Sequence, residues 1–139
     1  MSRALSIMGS AYAEYFAANG YDLVLIDEIR SRLNAMAEEL TTRFRSAVEV
    51  VVADHESALD LASIKAKVNQ DASIVSVIDV TKEGSYPLLS VEKADALIEA
   101  IEPNCTITGA AVGAFSSRSG GVCVLITASS RLGDLPWLA

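Results

Sequence analysis

Two aspartates close apolar runs in this chain: Asp27 follows Leu23–Ile26, and Asp54 follows Ala47–Ala53. A carboxylate at a strand end can accept hydrogen bonds from a bound sugar. It can equally meet solvent or cap the turn that follows it. The one histidine, His55, sits between Asp54 and Glu56. Sequence neighbours diverge in direction, so these three do not make a zinc site. The two cysteines, Cys105 and Cys123, lack metal-like spacing, and Cys123 reads as a small apolar residue of a strand. Neither a Gly-x-Ser-x-Gly elbow nor a P-loop is present.

Composition narrows the setting. The 139 residues suit a single domain, 1–139, able to bury roughly 65–70% of its unfolded surface. With 51% hydrophobic residues, the chain has enough apolar surface to fold. A net charge of −7 disfavours nucleic acid and anionic lipid as partners, and it also serves plain solubility. No signal segment opens the chain, and no apolar run reaches the ~18 residues of a membrane span. A cytoplasmic, reducing location is therefore expected.

The elements that must position Asp27 and Asp54 alternate in type. Ala11–Ala18 predicts a helix stopped at Asn19–Gly20, and Leu23–Ile26 a buried strand. Ser31–Phe44 carries Leu33, Met36, Ala37 and Leu40 on one helical stripe. Ala47–Ala53, broken only by Glu49, reads as a parallel-sheet strand buried on both faces. A turn at His55–Ser57, a helix over Leu59–Val68 and a strand over Ser73–Ile78 follow. Asp79–Pro87 is polar and reads as a loop. Val91–Ile101 and Cys105–Phe115 predict helices, Ser116–Gly121 a turn and Val122–Thr127 a last strand. Ala4–Met8 is either a clipped first strand or the remnant of a loop. The pattern predicts a small three-layer α/β domain with a mostly parallel sheet.

The stretches GSAYAEYFAANGYDLVLIDEIRSRLNAMAEEL, VEVVVAD and LITASSRLGDLP resemble the N-terminal part of a short-chain dehydrogenase/reductase, a Rossmann-fold family of NAD(P)-dependent oxidoreductases. The resemblance implies a Rossmann-like domain truncated relative to the complete family fold. Of the three glycines of the family's phosphate-binding turn, it retains Gly9. Counted back without a gap, the other two positions fall on Arg3 and Ile7, whose β-carbons stand where backbone must approach pyrophosphate. Asp27 matches the acid that holds the adenosine ribose in NAD-preferring members, and Asp54 matches the aspartate on the adenine side. The family's Asn-Asn-Ala-Gly stretch is replaced by Val77, Ile78, Asp79 and Val80.

Ser130 matches the serine that orients the substrate oxygen, and Asn104 matches, by spacing, the asparagine that holds a relay water. A strand-end serine and a helix-start asparagine beside Pro103 also have ordinary structural readings. The family's catalytic tyrosine and lysine would lie just beyond Ala139. Tyr12, Tyr15, Tyr21 and Tyr86 fall in the wrong elements to replace that tyrosine. Hydride transfer needs a proton donor at the developing alkoxide, worth typically 10²–10⁴-fold.

Three functions follow. The first is a non-catalytic pseudoenzyme that associates as a homo-oligomer or with a full-length dehydrogenase subunit, the isolated chain binding no cofactor. The second is an NAD-dependent oxidoreductase completed by a partner chain or by further sequence. The third is a gene fragment without function. An exposed apolar face on Cys105–Phe115 would favour association, as would the apolar Leu135, Trp137 and Leu138.

Overall fold

A computed structural model of the chain describes residues 1–80, 107–118 and 120–126. Its elements run α1 (Ile7–Ala18), β1 (Leu23–Asp27), α2 (Arg30–Phe44), β2 (Val48–Val52), α3 (Ala58–Gln70), β3 (Ser76–Val80), a helical segment 107–116, and β4 (Val122–Ile126). β1 pairs with β2 and β3 with β4, both in parallel, with Leu23 opposite Val48 and Ser76 opposite Val122. The alternation of strand and helix produces parallel pairing because each return must cross a face of the sheet.

The strands carry apolar residues on both faces, and helices cover both. Leu25 points to one face, where Ala13 and Ala17 of α1 and Leu33 and Leu40 of α2 close over it. Ile26, its neighbour, points to the other face, against Ile64 and Val68 of α3 and Ile107, Ala111 and Phe115. A period of two in β1 thus feeds two cores, which is the three-layer α/β arrangement expected.

Four local expectations change. Ala4–Met8 is not a strand: only Ser2 bridges to Ile26, and residues 3–6 turn directly into α1. That helix begins at Ile7 rather than Ala11 because Ser6 caps it, its Oγ accepting the Gly9 N–H at 2.9 Å. β2 is only half-buried, with Glu49 exposed and bound to Lys67 of α3 at 2.9 Å, because no described strand pairs on its outer edge. The strand predicted at Ser73–Ile78 starts at Ser76. Asp71 accepts the Ser73 N–H at 3.0 Å and the Ile74 N–H at 3.2 Å, holding residues 71–74 in a turn. As a result Asp79, read as the start of a loop, lies inside β3. The helix over Val91–Ile101, together with Cys105 and the apolar tail at Leu135, Trp137 and Leu138, lies outside the described residues.

Where β1 and β3 face each other, Met1 and Ser2 pass between them. Ser2 donates its N–H to the Ile78 carbonyl at 2.9 Å, and Ile26 donates to the Met1 carbonyl at 2.9 Å. A single bridge residue therefore joins two two-stranded sheets.

Candidate functional site

The C-terminal ends of β1, β2 and β3 converge on the turn at residues 3–6, the place where open α/β sheets hold ligands. Gly9 is required here by space. A β-carbon on it would stand 2.1 Å from the Arg3 carbonyl oxygen, so α1 can pass over the turn only with glycine at this point. Arg3 has φ 48°, the left-handed conformation that glycine adopts without cost. Arg3 thus takes a backbone shape that favours glycine while keeping a side chain. Ile7, at the first position of α1, is 78% exposed.

Asp27 grips this turn. Its Oδ2 accepts the Leu5 N–H at 2.9 Å and its Oδ1 accepts the Glu28 N–H at 2.8 Å. Each carboxylate oxygen still has a lone pair for a further donor. Asp54 accepts the Glu56 N–H at 2.8 Å, while its own N–H donates to Asp60 at 2.8 Å. It therefore caps the turn into α3. Asn104 and Ser130 lie outside the described residues, so the structure brings together Gly9, Asp27 and the turn but does not speak to the other two.

Behind the turn lies a buried polar cluster that motif reading did not assemble. Ser2 Oγ and His55 Nε2 are 3.0 Å apart. Asp79, fully buried in β3, accepts a hydrogen bond from Thr108 Oγ1 at 3.2 Å. Among the described residues, Arg3 Nε, His55 Nδ1 and Asp79 Oδ1 are buried without a partner. Burial lowers the His55 pKa to about 4, with Arg3 adding to the effect and Asp27 and Asp54 opposing it. Burial raises that of Asp79 to about 6, against the Ser2 and Thr108 hydroxyls and the charges of Arg3 and the Met1 amine. At neutral pH the histidine is neutral and the aspartate is ionised.

These residue types also build nucleophilic triads, but Ser2 is 2% exposed and His55 1%. A substrate carbonyl cannot reach the hydroxyl, and the cluster ties Ser2 to His55 and Thr108 to Asp79 inside the fold. The signals for it were present in the sequence: an aspartate inside the apolar run Val77–Val80, and a lone histidine one residue past a strand-closing aspartate. No group of residues that could hold a metal occurs among the described residues. Nor does any described helix have the length and apolar character to cross a membrane.

No protein-family model and no curated protein matches the chain. Solved structures do. A short-chain dehydrogenase from Sphingobium yanoikuyae in complex with NADPH is similar with a TM-score of 0.75 and 29% identity, over 90% of this chain and 50% of that one. A bulky-bulky ketone specific alcohol dehydrogenase from Comamonas testosteroni gives 0.77 and 25%, over 99% and 56% of the two chains. In an alcohol dehydrogenase from the archaeon Thermococcus sibiricus, complexed with 5-hydroxy-NADP, the values are 0.72 and 24%, over 90% and 55%. This chain spans about half the length of each enzyme. In fold and element order it is similar to the N-terminal part of the short-chain dehydrogenases/reductases.

Proposed function

We propose that this chain acts by association rather than by catalysis of its own, as a dehydrogenase-like pseudo-subunit pairing with itself or with a complete oxidoreductase subunit. The observation that carries this reading is the outer face of the helical segment 107–116. Gly109, Val112, Gly113 and Ser116 are exposed there, with Val112 54% accessible. Beside both glycines the space that a β-carbon would take has no atom within 4 Å. Small outward residues let a second helix approach closely, whereas a helix facing only water more often carries lysine and glutamate.

The turn at residues 3–6 supports the non-catalytic half of the proposal. Pyrophosphate binding at a helix start needs free N–H groups and bare backbone. Here Ser6 already takes the Gly9 N–H, Arg3 carries a side chain with its Nε buried, and Ile7 projects an aliphatic side chain from the first turn. These residues do not fit a dinucleotide cradle. Titration calorimetry with NADH on the purified chain tests this point, together with light scattering at micromolar concentration. The expected result is an assembly larger than one chain and no affinity tighter than about 100 μM, near −5.5 kcal/mol. A monomer that binds NADH more tightly would overturn the proposal.

A second reading, an NAD-dependent oxidoreductase completed by a partner chain or by further sequence, is favoured by Asp27. Its carboxylate lies at the end of β1 beside the turn, where a ribose would present hydroxyls. An acid there would repel the 2′-phosphate of NADP. In that case NAD should bind better than NADP, and Asp27→Ala should erase the difference.

A further inference from the structure

The C-terminal end of α1 is closed by a hydrogen-bonded cap that favours glycine. Gly20 donates its N–H to the Ala17 carbonyl and Tyr21 donates to the Phe16 carbonyl, both at 3.1 Å. This reversal needs a left-handed residue just past the helix, and Gly20 supplies it with φ 85°. Tyr21 then meets Phe16 edge-on, their ring centroids 5.2 Å apart. Asn19 sits between helix and glycine, and its Nδ2 donates to the Tyr15 carbonyl at 2.7 Å.

The residue that suits the cap also leaves the preceding side-chain amide unguarded. A β-carbon after an asparagine hinders approach of the next backbone nitrogen to the asparagine Cγ. Gly20 has none, both residues are exposed, and no atom stands within 4 Å of the place a β-carbon would take. Among the asparagines of the chain, Asn19 alone precedes glycine. Asn34 is followed by Ala35 within α2, and Asn69 by Gln70 within α3, where Arg118 also holds the Asn69 carbonyl at 2.9 Å. Asn19 instead lies at an exposed helix end, where the last hydrogen bonds open at little cost.

We propose that Asn19–Gly20 is a modification site at which the folded chain converts its own asparagine to isoaspartate and aspartate. The Gly20 nitrogen gives its proton to solvent base and attacks the Asn19 Cγ. The N–Cγ bond forms, the Cγ–Nδ2 bond breaks, and ammonia leaves behind a cyclic succinimide. Water then opens the ring: attack at the Asn19 main-chain carbonyl gives isoaspartate, and attack at Cγ gives aspartate. Nothing is oxidised or reduced. Both products replace the Nδ2 donor by a carboxylate beside the Tyr15 carbonyl, at the helix end whose dipole disfavours negative charge. Isoaspartate also lengthens the backbone by one methylene before Tyr21, displacing the ring that packs on Phe16. The site is separate from the association surface and from the turn at residues 3–6.

The test is peptide mapping by mass spectrometry of the whole protein after warm incubation in neutral buffer, beside a sample held in urea. Isoaspartate and aspartate are expected at residue 19 of the native protein, formed at least about tenfold faster than any conversion of Asn34 or Asn69. The rate should rise with pH, because the attacking nitrogen must first lose its proton. Asn19→Gln, whose amide lies one methylene further from the Gly20 nitrogen, should leave residue 19 unconverted over the same period. Asn34 and Asn69 are controls within the unaltered protein, so the comparison decides the matter even if that variant does not fold. An Asn19 that stays an amide in the native protein, converts only in urea, or converts no faster than Asn34 and Asn69 overturns the proposal.

Discussion

Gly9 and Arg3 show how one residue's freedom is set by another's carbonyl. A β-carbon at Gly9 meets backbone at 2.1 Å, and backbone cannot rotate away as a side chain can. Gly9→Ala should therefore destabilise the protein by about 3 kcal/mol or more, read as a shift of the urea midpoint. Arg3 is the reverse case: its φ of 48° is one that glycine holds more easily. Arg3→Gly should be neutral or stabilising by up to about 1 kcal/mol in the same assay.

His55 and Asp79 predict an unusual pH profile. His55 titrates near 4 in the folded chain against 6.5 unfolded, so between these values the unfolded state binds more protons and stability rises with pH. Asp79 titrates near 6 folded against 3.8 unfolded, so over nearly the same window the folded state binds more protons and stability falls with pH. The two slopes oppose each other. Removing one should expose the other: Asp79→Asn should gain stability from pH 4 to 6.5, while His55→Gln should lose it from pH 4 to 6. Denaturation midpoints across that range measure both, and parallel profiles for the two variants would refute the assignment.

At the scale of elements, α3 and the segment 107–118 are tied together by one guanidinium. Arg118 donates to the Val68 and Asn69 carbonyls at 3.0 and 2.9 Å, at the C-terminal end of α3 where carbonyls lack helical partners. A cation there also suits the helix dipole. Arg118→Met keeps the stem but loses both bonds, and should cost about 1.5–3 kcal/mol in urea denaturation. A cost below half a kilocalorie would show that water replaces the arginine freely. The core strands behave more simply. Leu33 on one face and Ile64 on the other are both almost wholly buried, and truncating either to alanine should cost about 2–5 kcal/mol.

For the whole molecule, the proposed association should be sensitive at the outer face of 107–116. Val112→Glu places a charge on an exposed position, so it should leave the core unchanged while separating the chains. Light scattering should then report a monomer, and the thermal midpoint should lose its dependence on protein concentration. An unchanged mass for this variant would move the contact elsewhere on the surface.

Much of this architecture could be read directly from residue patterns. Leu23–Asp27, Arg30–Phe44 and Val48–Val52 lie within a residue or two of their expected bounds, because long periodic apolar runs have few alternative ways to bury themselves. What the linear pattern could not decide was competition between distant groups. The helix α1 starts at Ile7, through the weakly helical Gly9–Ser10, because Ser6 caps it and Gly9 leaves room for the Arg3 carbonyl. Asp79 entered a strand, against its charge, where Thr108 from a helix 29 residues later meets its carboxylate. His55 found Ser2 across 53 residues.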